Sequence, residues 1–103
     1  MLTCLQCHSE FPPRNEDRRI ASISGSIMGD EYTETYYLCE HCGVYTVEVV
    51  YEPFMSDERI SYKGPVPREK GDEAVNLIKQ CSESWNKNCR CRAHITYFDG
   101  TLD

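Results

Sequence analysis

The stretch CEHCGVYTVEVVY, residues 39–51, joins two kinds of signal. Cys39 and Cys42 stand two residues apart. That gap lets the chain fold back as a tight knuckle, so both sulfurs reach one ion. Gly43 follows directly, and such a knuckle needs a left-handed turn that glycine enters without steric cost. Then comes alternation. Tyr45, Val47, Val49 and Tyr51 share one face of a strand over residues 44–51, and Thr46 and Glu48 point the other way.

Working upstream, Cys4 and Cys7 repeat the spacing as CLQC. Two knuckles complete a tetrahedron, and zinc accepts four thiolates without geometric strain. The expected ligands are Cys4, Cys7, Cys39 and Cys42. Iron in a rubredoxin-like site or an iron–sulfur cluster uses the same ligand type and stays open. A metal-free reduced set and a pair of disulfides are the bland alternatives. His8 and His41 flank the ligands; either can replace a cysteine, though exposed knuckle residues are the simpler reading.

The 31 residues between the pairs have strand character. The double proline in FPPRNEDRR, residues 11–19, marks a loop. Residues 20–28 form a weakly patterned strand with Ile23 and Ile27 on one face. Gly29-Asp30 signals a turn, and residues 32–38 are rich in the Thr and Tyr that suit a pleated sheet. The chain can thus leave the first knuckle as a hairpin and return to the second, with residues 44–51 as a third strand.

This order of knuckle, hairpin, knuckle and strand resembles the zinc-ribbon superfamily over about residues 1–52. It is loosely similar to the YgiT-type zinc fingers of antitoxins, which also start close to the N-terminus and carry a long insert between pairs. The resemblance implies a structural zinc at Cys4, Cys7, Cys39 and Cys42. It does not carry the antitoxin role, because no helix-turn-helix pattern follows.

Residues 54–67, with Gly64-Pro65 and Pro67, read as a linker or excursion. A helix follows. Ala74, Leu77, Ile78, Cys81 and Trp85 fall on one apolar stripe, with Asp72 as N-cap and Asn86 to Asn88 as the stop. A last strand is expected over residues 89–98, closed by Asp99-Gly100. The fold class is a small, metal-stapled α+β domain: a three-stranded antiparallel zinc ribbon (1–53), the linker, and a helix plus C-terminal strand (68–103). The helix stripe is expected to pack on the Tyr45–Tyr51 face, making one domain.

Three further cysteines stand in the back half: Cys81, Cys89 and Cys91. Three soft thiolates suit a second metal site, with a second zinc or a thiophilic ion such as Cu(I). Buried structural cysteines and a redox-active C-x-C pair are the competing readings. His94 is the obvious fourth ligand, but on a strand it shares a face with Arg90 and Arg92 and points away from Cys89 and Cys91. It joins only if the chain is irregular before Ala93.

Charge narrows the partners. The formal net charge is -6, and all of it lies in residues 1–53, which hold nine acids and three bases. Such a surface is a poor match for nucleic acid. The one basic run, Lys87, Arg90 and Arg92 with His94, offers an anion-binding patch, with Tyr97 or Phe98 available for stacking. Seven cysteines in 103 residues, an odd count, fit metal better than a closed disulfide framework. With no apolar run of membrane length and no secretory pattern at MLTCLQCHSE, the expected setting is cytoplasmic, without membrane contact.

A closed four-cysteine site leaves no position for water, and no catalytic constellation stands elsewhere. The expectation is a non-enzymatic, zinc-binding adaptor or regulator with a protein partner, its oligomeric state open. The alternatives are metal or thiol handling at Cys81, Cys89 and Cys91, and a nucleic-acid contact through residues 87–94.

Overall fold

The computed structural model describes residues 3–8, 19–39, 41–53 and 55–102. The expected loop at 11–19 falls almost wholly outside them. Four antiparallel strands form one sheet in sequence order: β1 (Arg19–Ile27), β2 (Asp30–Leu38), β3 (Tyr45–Glu52) and β4 (Arg59–Val66). Two helices follow, α1 (Arg68–Lys79) and α2 (Arg92–Tyr97).

The β1–β2 hairpin turns on Met28 and Gly29, one residue earlier than expected. Both have positive φ, 52° and 86°. Two left-handed central residues match the right-handed twist of the flanking strands. Pairing then runs from Ile27 opposite Asp30 to Ser24 opposite Thr33. The second hairpin places Tyr36 opposite Val47 and Leu38 opposite Tyr45.

This register puts Ile23, Tyr36, Tyr45 and Val47 into one core with Val75 and Ile78 of α1 and Phe98. The helix docks on the Tyr45 end of the expected face, through Val75 and Ile78 with Ala74 beside them, while Leu77, Cys81 and Trp85 of the expected stripe stand outside this cluster. Tyr45 also fastens the helix chemically. Its hydroxyl donates to Asp72 Oδ1 at 2.5 Å, and Arg68 Nε donates to the same carboxylate at 3.1 Å. The Tyr45 bond, then Arg68, holds the Asp72 carboxyl below its ordinary range, although desolvation opposes them. A depressed carboxyl stabilises the fold above its unfolded pKa, near 3.9, and that contribution is lost as pH falls through the lower folded value. Tyr45→Phe is therefore expected to flatten the loss of thermal stability below about pH 4, measured by melting the two proteins across an acid series. Identical acid profiles would remove Asp72 from the account.

Three expectations need correction. The sheet has four strands, not three, because residues 59–66 of the supposed linker form β4. Its side chains are exposed except for half-buried Val66, so no alternation of burial marked it. It exists because β3 offers a free edge: Val49 pairs with Ser61 and Val47 with Lys63. An extra residue in β4 between Lys63 and Val66 breaks the register and absorbs Gly64-Pro65 at the strand's end.

The helix is shorter than its stripe. It starts after Pro67 rather than at Asp72 and ends at Lys79, and Trp85 is 71% exposed. Proline suits the entry because the first turn needs no donor from it. Beyond the helix end, the Ser84 carbonyl accepts from Ser24 N on the edge of β1 at 2.8 Å, which ties the turn after α1 to the sheet.

The C-terminal strand does not form. Residues 89–91 are irregular and residues 92–97 are helical. The Cys91 sulfur accepts from His94 N and caps α2, a local bond that competes with strand pairing.

Candidate metal centres

Two side-chain groups converge as metal ligands do: Cys4, Cys7, Cys39 and Cys42, and Cys81, Cys89, Cys91 and His94. Within each, the four donor atoms lie within 4.8 Å of one another, and each group could hold a metal ion.

The first group is built by matched knuckles. His8 N donates to Cys4 O and Gly43 N to Cys39 O, each at 2.9 Å. His8 and Gly43 both adopt left-handed backbone, φ 63° and 67°. The glycine expected after the second pair has its counterpart in a histidine after the first. His8 and His41 are both exposed, as the simpler reading had them.

The knuckles face each other, with Cys4 Sγ 3.4 Å from Cys42 Sγ and Cys7 Sγ 3.6 Å from Cys39 Sγ. Four sulfurs around one zinc at about 2.3 Å stand roughly 3.8 Å apart, so the set is already compact enough. Cys4 and Cys39 are buried with Tyr37 in a small cluster apart from the main core. Leu5 N donates to Thr46 Oγ1 at 3.2 Å and ties the first knuckle to β3. Burial, and then the neighbouring sulfurs, push the Cys42 thiol up to about 12. A cation bound among such crowded thiols would offset the repulsion between their thiolates and release their protons to solvent.

The second group comes from three segments: the turn after α1, the irregular stretch at 89–91, and α2. Cys81 Sγ lies 3.6 Å from Cys89 Sγ and 3.4 Å from His94 Nδ1. Burial, then contact with Cys91, raises the Cys81 thiol to about 12. Cys91 shifts the other way, lowered first by the His94 backbone N–H and then by Cys81.

His94 is the residue that strand periodicity turned away. Residues 91 and 94 of a helix start share a side, so Cys91-x2-His94 brings both to one point. The run C-x-C-x2-H was visible in the sequence; what hid it was reading residues 89–98 as extended.

The basic residues do not share a strand face. Lys87 Nζ pairs with Glu31, Arg90 Nη1 donates to the carbonyls of Lys87 and Cys89, and Arg92 is exposed at the start of α2. Phe98 is buried and Tyr97 is committed to Tyr36 and Glu34, so neither aromatic stands open for stacking. No helix among the described residues is long and apolar enough to cross a membrane.

No protein-family model, curated protein or solved structure compared with the chain matches it significantly.

Proposed function

We propose that this chain is a zinc-stapled, non-catalytic adaptor that presents a surface to a protein partner. The observation that carries the reading is the closure of the first group. Four sulfurs meet with no nitrogen or oxygen donor among them. Zinc there keeps no site for water or substrate, and its work is to fasten residues 3–8 to the sheet. The knuckle–hairpin–knuckle order supports the kinship with zinc ribbons, and zinc fits the four-thiolate set better than a hard cation.

The protein partner is supported by what the fold leaves uncovered. Trp85, Met28 and Met55 are 71%, 88% and 90% exposed. Tryptophan and methionine are enriched at interfaces, and tryptophan is a frequent energetic anchor. Trp85 and Lys87 border a recess of about 290 Å³ over Ser24, Glu31 and Thr33.

The test begins with proximity labelling, using the full chain as bait, and ends with the purified partner. Trp85→Ala is expected to leave zinc content and melting unchanged and to weaken binding by about 2 kcal/mol, some thirtyfold. A partner indifferent to Trp85→Ala, Met28→Ala and Met55→Ala sinks this surface. A second reading, metal or thiol handling, is favoured by Cys91, which is exposed. Transfer of zinc from the chain to a purified acceptor on a physiological timescale is its signature.

A further inference from the structure

We infer that Cys81, Cys89, Cys91 and His94 form a second metal site, binding a divalent ion of the zinc class through three thiolates and His94 Nδ1. We infer also that this ion fastens the C-terminal segment across the edge of β1.

The ring of His94 is fully buried. Its Nε2 lies 2.5 Å from the carbonyl oxygen of Ser24. A carbonyl only accepts, so Nε2 carries the proton. In the neutral ring Nδ1 then holds a bare lone pair, and it faces Cys81 Sγ at 3.4 Å. Metal-bound histidines have this arrangement: the far N–H donates to a carbonyl or carboxylate, which fixes tautomer and orientation.

A hydrogen bond from the Cys81 thiol would satisfy Nδ1 alone. It does not explain why Cys89 and Cys91 also converge, with all four donor atoms inside 4.8 Å. Thiols attract one another weakly; a shared cation accounts for the convergence. Charge fits as well. Three thiolates and one divalent ion sum to -1, and Arg90 and Arg92 flank the ligands in sequence.

The consequence lies in β1. Ser24 N donates to Ser84 O, and Ser24 O receives His94 Nε2. Both outward backbone groups of Ser24 are taken by the segment that the ion would hold. Without the ion, four donors lose their common partner, and this edge loses what covers it.

The test uses the full chain, freed of metal and titrated with zinc alone. Native mass spectrometry is expected to count two ions in the wild type and one in Cys89→Ser/Cys91→Ser. His94→Ala is expected to weaken the second ion by more than about 100-fold, since loss of an outer-sphere partner alone costs ~10–100-fold. Amide exchange at Ser24 is expected to rise in both variants, with the β2–β3 core unchanged. Should the variants fail to fold, long-range proton–nitrogen NMR on the wild type decides: zinc should shift His94 Nδ1 while Nε2 stays protonated. A single ion in the wild type overturns the site. So does a second ion that leaves the His94 nitrogens, or its own affinity in His94→Ala, unmoved. The first centre's ion is counted separately, so failure here is distinct from failure of the adaptor reading.

Discussion

Cys4→Ser/Cys7→Ser is expected to lower the melting temperature of the zinc-replete protein by roughly 15–30 °C. A ligand held at a thousand times its dissociation constant contributes about 4 kcal/mol of stability. For a domain of this size each kcal/mol moves the midpoint by roughly 4–8 °C. The loss should be regional at first. Residues 3–8 are tied to the sheet by the Leu5–Thr46 bond and by the small cluster of Cys4, Tyr37 and Cys39. The main core, from Ile23 to Phe98, uses none of these residues. Calorimetry should therefore still show a cooperative transition, while hydrogen exchange rises at Tyr37 and Thr46. A midpoint that moves by less than about 5 °C, scarcely 1 kcal/mol, removes the first centre from the list of structural elements.

Gly71→Ala is expected to destabilise the protein by about 1–3 kcal/mol, against the sign of helix propensity. Alanine in a helix interior is worth about 1 kcal/mol over glycine. Here the added carbon would stand 2.7 Å from Tyr45 Cγ and closer still to the ring edge. The ring cannot swing aside. Its hydroxyl is held by Asp72, and its ring packs nearly perpendicular to that of Tyr36, with centroids 6.0 Å apart. Thermal melting of Gly71→Ala, alone and with Tyr45→Leu, checks this. The double variant should cost less than the sum of the singles, because removing the ring removes the clash. Additive effects, or a stabilising Gly71→Ala, would show that α1 shifts to make room.

The same glycine shows where sequence reading stops. With Asp72 read as the cap, Gly71 falls just before the expected helix and carries no signal of its own. Only the packed sheet shows that it marks the close approach of α1 to Tyr45.

The strands are a sharper case. β1, β2 and β3 were legible because each carries its own pattern: Ile23 and Ile27 on one face, Thr and Tyr in β2, and Tyr45, Val47, Val49 and Tyr51 on one face of β3. β4 has no such pattern, since a strand at the edge buries almost nothing. Its Gly64-Pro65 is ordinary loop punctuation as well. Asp72 looked like a helix cap because caps favour short acids. In the fold it lies one turn inside α1, and a tyrosine from the sheet claims it.

The metal groups divide the same way. The first candidate ligand set was legible in the sequence, because Cys-x2-Cys knuckles are local: each is built within five residues by its own backbone bonds, Cys4 to His8 and Cys39 to Gly43. So were the three front strands and the apolar character of α1, whose periods repeat over single segments. β4, the end of α1 at Lys79 and the place of His94 were not legible in this way. Each rests on a partner distant in the chain: β3 for β4, the edge of β1 for the turn at Ser84, and the Ser24 carbonyl for the imidazole. A six-residue helix carries too few residues to announce its own period. The contacts that fix α2, a sulfur cap at its start and a histidine bound to a strand 70 residues away, exist only once the chain has folded.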